Sequence, residues 1–163
     1  MDPERVRALL EEIRAGALSP QQGVERLALL PFVDVAGARV DTHRALRQGL
    51  PEVIYGPGKT PLQICEIAAA LRSAGQPVLV TRVAAEVARE VCAQSPELPD
   101  HDPVARLLWF GPAEVEIRGR GTIAVVSAGT ADLPVAAEAA AVARRFGNKV
   151  EMLVDVGVAG LHR

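Results

Sequence analysis

The segment GTIAVVSAGTADLPVAAEAAAVARRFGNKVEMLVDVGVAGLHR, residues 121–163, decides the fold class. Thr122–Val126 is a short apolar run, which predicts a buried strand, and Ser127-Ala128-Gly129-Thr130-Ala131-Asp132 is a small polar turn. From Leu133 onward, Val135, Ala139, Val142 and Phe146 recur at helical spacing, and Gly147-Asn148 stops the helix before a second strand, Val150–Val154. Asp155–Gly160 is then a second flexible turn at the same edge of the sheet. Strand, turn, helix, strand is the α/β crossover. In open parallel sheets ligands collect beyond the carboxyl ends of the strands, where helix N–H groups attract anions. A phosphorylated small molecule is the expected ligand class.

Upstream the same grammar is interrupted by other elements. Asp2-Pro3 opens a helix whose stripe is Val6, Leu9, Leu10 and Ile13, closed by Gly16. Ser19-Pro20-Gln21-Gln22 has the capping-box form and starts a second helix burying Val24 and Leu27, so a helical hairpin is predicted. Asp41–Gln48 is polar and helix-compatible, Pro51–Tyr55 is a short strand, and Gly56-Pro57-Gly58 is a turn. Thr60-Pro61-Leu62-Gln63 is another capping box, followed by the stripe Ile64, Ile67, Ala68 and Leu71. Pro77–Thr81 and Ala84–Cys92 add a strand and a helix, which implies right-handed parallel crossovers. Ser95–Pro103 is predicted as a loop, with strands at Ala105–Phe110 and Glu114–Ile117 before a boundary.

Composition agrees with an α/β class: 49% of the 163 residues are apolar, mostly Ala, Val and Leu, and only 3% are aromatic. A net charge of −2 with interspersed signs leaves no electrostatic footprint for nucleic acid or an anionic membrane. Cys65 and Cys92 have neither metal-ligand spacing nor a second pair, which fits a reducing cytoplasm and structural thiols. The charged N-terminus resembles neither a signal peptide nor a membrane span.

Several residues are candidates for chemistry. The turn glycines let amides approach a ligand, Thr130 offers a hydroxyl, and Asp132 can either cap the helix or bind a ribose or amine. Gly58-Lys59-Thr60 ends like a phosphate loop, but Val53 stands where the first glycine of that pattern belongs. Asp41, Arg44, Arg47, Glu52 and Lys59 form a dense charged stretch that suits a phosphate and carboxylate site or a solvated face. His43, His101 and His162 are too separated for a metal site, and His101 is expected in an exposed loop.

Three segments together, DTHRALRQGLPEVIYGPGKTPLQ (Asp41–Gln63), VVSAGTADLPVAAEAA (Val125–Ala140) and DVGVAGLHR (Asp155–Arg163), resemble the LarB family of nickel-pincer nucleotide cofactor biosynthesis. The resemblance implies an N-terminal α/β domain with the helical hairpin, residues 1–118, followed at residues 119–163 by the start of a PurE-like (flavodoxin-like) parallel three-layer domain. It implies carboxylation of the pyridinium ring of nicotinate adenine dinucleotide by CO2 or bicarbonate, with phosphoanhydride hydrolysis releasing AMP. Mg2+ is carried as a candidate cofactor, a homo-oligomer as the expected assembly, and no protein metal site is assigned. The resemblance places Ser127, Gly129, Thr130 and Asp132 in the first substrate turn, and Asp155, Gly157, His162 and Arg163 in the second, Arg163 on phosphate. Ala131 stands where the family commonly has serine and Ala137 where glutamate is usual, leaving Glu138 as the acid of that helix. Asp41, Arg44, Arg47, Glu52, Lys59 and Thr60 make up the N-terminal motif. The family's nucleophilic cysteine is expected beyond Arg163, so the chain is expected to be an inactive N-terminal part. Two alternatives stand beside this: an aminoimidazole ribonucleotide carboxylase or mutase, and a non-catalytic nucleotide-binding or assembly module.

Overall fold

The structure, a computed structural model, describes residues 3–27, 32–35 and 37–158. Asp2, His162 and Arg163 lie outside these. Helices α1 (Pro3–Arg14) and α2 (Pro20–Leu27) form the predicted hairpin, with Gly23 so close beneath Ile13 that a Cβ would lie 2.4 Å from its Cδ1. The capping box is made: Gln22 N donates to Ser19 Oγ at 3.1 Å and Ser19 N to Gln22 Oε1 at 2.9 Å. The predicted stripe is corrected, because Leu10, Val24 and Leu27 are exposed and the hairpin packs through Leu9 and Gly23 instead. Two short helices have one line of contact, and side chains off that line face solvent.

An antiparallel hairpin of β1 (Phe32–Val35) and β2 (Ala38–Asp41) follows, turning through Gly37 at φ 74°, and it was not legible in the sequence. Helix α3 (Arg44–Gln48) ends on left-handed Gly49. Next come β3 (Val53–Tyr55), α4 (Pro61–Ser73), β4 (Val78–Thr81), α5 (Ala85–Gln94), β5 (Asp100–Asp102) and β6 (Leu107–Phe110). The strands pair in the order β3-β4-β6-β5. Only β3–β4 is parallel, joined by the predicted α4 crossover, while β6 is antiparallel to both neighbours. Two expectations are corrected here. The prolines of Ser95–Pro103 masked the edge strand β5, and Glu114–Ile117 is no strand, because the nearby Arg118 and Gly119 amides donate to Gly147 O instead of to a ladder.

The capping box of α4 is complete, with Gln63 N donating to Thr60 Oγ1 at 3.2 Å and Thr60 N to Gln63 Oε1 at 3.0 Å. Its predicted stripe, Ile64, Ile67, Ala68 and Leu71, joins Val78, Val80, Ala88, Val91, Leu108 and Phe110 on one face of the sheet. The other face, Leu79, Leu107 and Trp109, is covered by a later helix.

That helix belongs to a parallel β-α-β unit: β7 (Thr122–Val126), a single 3-10 turn (Thr130–Asp132), α6 (Leu133–Arg145) and β8 (Lys149–Leu153). Ala137, Ala141, Val142 and Phe146 pack on Leu79, Ala105, Leu107 and Trp109. Val135 and Ala139 of the predicted stripe are exposed, while Ala136 and Ala140 are buried. The shift has a physical cause, since α6 lies between a four-stranded and a two-stranded sheet and must bury small residues on two sides. Likewise β7 is largely exposed, not buried, since a two-stranded sheet has α6 on one face only. Among the described residues no helix is long and apolar enough to cross a membrane.

Leu108→Ala, deleting a fully buried side chain at the centre of the sheet, should cost ~2–5 kcal/mol in chemical denaturation. Gly147 and Gly121 both have left-handed φ, but a Cβ on Gly147 would meet Glu116 O at 2.7 Å whereas Gly121 has open space. Alanine at either should lose ~1–2 kcal/mol from the backbone, and Gly147→Ala should lose clearly more in the same assay.

Candidate functional site

Parallel pairing of β7 and β8 brings the two predicted turns side by side. Ser127 N donates to Leu153 O at 2.9 Å, and Val156 N donates to Ser127 O at 3.3 Å. Gly157 approaches so closely that a Cβ there would lie 3.2 Å from Ala128 O. Gly129, in contrast, has nothing within 4 Å of where a Cβ would project, and Thr130 is exposed beside it. Asp132 is engaged within the turn, accepting from Gly129 N at 3.1 Å through Oδ2. It closes the loop and makes no side-chain cap to α6, whose first amide, Leu133 N, donates to Thr130 O and whose second residue, Pro134, has no N–H. Asp155 is exposed and left-handed at φ 60°. Ser127 is 8% exposed, and its Oγ is buried with no hydrogen-bond partner among the described residues. A buried hydroxyl without a partner is costly, and this one sits under the open turn.

Glu138, one and a half turns into α6, is engaged by the four-stranded unit. Arg82 Nε donates to both its oxygens, at 3.0 and 3.2 Å. Glu138 first and then the Tyr55 hydroxyl hold the exposed Arg82 guanidinium more firmly protonated than usual. Neither Arg82 nor Tyr55 stands out in the sequence. The signal that could have drawn notice is positional, since both stand at the carboxyl end of a predicted strand.

The charged N-terminal motif is divided. Arg44 Nη1 meets Glu52 Oε1 at 3.2 Å, and Asp41 Oδ1 accepts from His43 N at 2.9 Å, all before β3 begins. Buried Gln76 ties the same end to β4, donating from Nε2 to Thr42 O. Lys59 and Thr60 lie past the opposite end of β3, in a turn that closes through Lys59 N to Gly56 O at 3.0 Å. Residues 52 to 56 of an extended strand span roughly 13 Å, so one ligand group cannot touch both sets. Arg47 is in α3, and its side chain lies outside the described residues. Arg44 Nε is buried without a partner among the described residues.

The remaining candidates lie apart from one another. His101 is half-buried in β5, paired with Leu108, and not in an exposed loop, because the edge strand claims it. Cys65 and Cys92 are free and half-buried. Burial, then the neighbouring Cys92 and Glu66, push the Cys65 thiol above its ordinary value. Among the described residues no group of three or more His, Cys, Asp or Glu is arranged to hold a metal ion. A cavity of about 260 Å3 opens at the far end of α6, lined by Leu79, Asp100, Leu107, Trp109, Ala141 and Arg145. None of the turn residues lines it. Arg145 in its lining pairs with Asp100 and sits 5.2 Å from the Trp109 ring centroid.

A mixed α/β unit ending in a parallel strand-helix-strand is the class that this geometry defines. Residues 32–112 match the LarB/PurE-like N-terminal domain, and that part of the chain belongs to this family. The chain is also similar to an uncharacterised protein of Methanocaldococcus jannaschii, 27% identical over 167 positions, a match covering 98% of the chain and 64% of the relative. The chain thus spans less than two thirds of the length of that curated relative.

Because its thiol is held neutral, Cys65 should be alkylated more slowly than a free cysteine at pH 8, accelerating only as pH rises past the ordinary thiol range. Peptide mass spectrometry of a pH series checks this, and a rate equal to that of free cysteine at pH 8 would contradict it.

Proposed function

We propose that this chain carries the N-terminal domain and the first substrate turns of a pyridinium-3,5-biscarboxylic acid mononucleotide synthase. The reaction replaces a pyridinium ring C–H of nicotinate adenine dinucleotide by a carboxylate from CO2, with loss of the proton. Water then cleaves the phosphoanhydride and AMP leaves. Membership of residues 32–112 in the LarB/PurE-like family supports the reading. The observation that carries it is the buried Ser127 hydroxyl, without a hydrogen-bond partner among the described residues, at the start of the turn that leads into α6. A phosphate or carboxylate oxygen would accept from that hydroxyl.

In this reading Ser127, Gly129 and Thr130 bind one anionic group of the substrate, Asp132 holds the turn closed, and Asp155 and Gly157 form the second wall. His162 and Arg163 are assigned to phosphate from the family resemblance. The nucleophilic step falls to other residues of the longer protein, consistent with the length of the relative. Asp132 accepts from Gly129 N through one carboxylate oxygen; Mg2+ stays a candidate cofactor, and no step is routed through it. The Arg44–Glu52 pair supports β3 from its entry end and is given no contact with substrate.

The full-length protein, given nicotinate adenine dinucleotide and bicarbonate, should release AMP and incorporate labelled carbon into the mononucleotide product. Ser127→Ala should lower kcat/KM about 10- to 100-fold, the loss expected for one hydrogen bond to a charged group. Turnover of aminoimidazole ribonucleotide with none of the dinucleotide would replace this reading by the purine-pathway alternative. Binding without turnover of either would favour a non-catalytic module.

A further inference from the structure

Arg82 follows β4 in a left-handed conformation, φ 55°, that only glycine adopts without cost. The turn after β3 holds it there. Gly56 N donates to Thr81 O at 2.8 Å, and a Cβ on Gly56 would lie 2.8 Å from Thr81 O and 3.3 Å from Arg82 O. The strained backbone delivers the guanidinium to Glu138, 56 residues away, whose side chain is only 14% exposed. The pair is half-exposed on the arginine side and mostly buried on the glutamate side, so its gain is modest and is offset in part by the cost of a left-handed non-glycine residue. Strain kept for so small a net gain points to a geometry being held for use.

What is held is α6. At its last residue, Arg145 reaches into the four-stranded unit, pairing with Asp100, lying over Trp109 and donating to Ala113 O at 3.2 Å. Near its middle, Arg82 reaches out of the same unit onto Glu138. Packing of Ala137, Ala141 and Val142 seats the helix on the sheet. The two arginine contacts add directional ties that set how α6, and the Ser127–Asp132 turn leading into it, are turned relative to β3 and β4.

We propose that Arg82 is a positioning residue: acting through Glu138, it locks α6 so that the Ser127–Asp132 turn presents a single geometry to its nucleotide. This rests on the functional reading above only in assigning the turn a nucleotide. It gives the N-terminal unit a part in the reaction without touching substrate.

Arg82→Gly is the decisive variant, since glycine accepts φ 55° and removes the side chain without adding backbone strain. In the full-length protein its unfolding midpoint should change little, relief of the left-handed strain offsetting the pairing that Glu138 loses. Its kcat on nicotinate adenine dinucleotide should fall about 10- to 100-fold, as for a small misplacement of a binding element, with KM changing much less. Arg82→Lys should recover part of the loss. Hydrogen exchange supplies a substrate-independent readout: amides of residues 127–136 should exchange about tenfold faster in Arg82→Gly, on the order expected for losing one local tether. Unchanged exchange there would overturn the proposal, whether or not the dinucleotide is turned over, as would an unchanged kcat in an active enzyme. A wild-type protein inert toward the dinucleotide, with faster exchange in the variant, would sink the functional reading and leave the positioning role standing. If Arg82→Gly fails to fold, Glu138→Gln keeps the shape and removes the charge. It should then show the same faster exchange over residues 127–136, and unchanged exchange in that variant would overturn the proposal equally.

Discussion

The pairing of β4 with β6 imposes the constraint on which the rest of the structure depends. Val78, Leu79 and Val80 on one strand and Leu107, Leu108, Trp109 and Phe110 on the other are all buried, so both faces of this pair must be covered. Helices α4 and α5 cover the face bearing Val78, Val80, Leu108 and Phe110. Leu79, Leu107 and Trp109 are covered by Ala105 and Val115 and chiefly by Ala137, Ala141, Val142 and Phe146, in and just after α6. The position of α6, and of the turn that opens it, is thus decided by apolar residues that have no chemistry of their own.

How far this could be read from sequence differs by element. Helix α4 was legible completely, because a Thr-Pro-x-Gln box and a helical stripe are local signals that the tertiary structure had no reason to override. The β1–β2 hairpin and β5 were not, since strands of three or four residues with charged positions show too little alternation to stand out. The register of α6 failed for a different reason. A stripe search assumes one buried face, whereas α6 has two, and alanines on both sides score as neutral.

The candidate site divides along similar lines. Two turns at one edge follow directly from a parallel strand-helix-strand pattern, and their contact through Val156 N and Ser127 O needs nothing beyond that pairing. The charged stretch from Asp41 to Lys59 misleads, because proximity in sequence is not proximity in space. A three-residue strand runs through its middle and sends Arg44 and Glu52 to one end and Lys59 to the other. Arg82 was invisible for the converse reason. Its partner is 56 residues away, and its left-handed backbone is imposed by Thr81 and Gly56, not by any preference of arginine.

Helix α6 also explains why the two halves of the chain need not behave as separable parts. Ala136, Ala137, Ala140 and Ala141 present almost no side-chain bulk, so the sheet on each side approaches the helix backbone closely. Small residues interlock little, so this part of the packing sets the distance of α6 from each sheet more firmly than its rotation. Arg82 meets α6 at Glu138, near the middle of the helix, and Arg145 ties its last residue, so two directional contacts separated along the helix resist its rotation. Packing thus fixes how far α6 lies from the sheet, and Arg82 and Arg145 fix how it is turned, which is the division of labour that a binding turn mounted on a helix head requires.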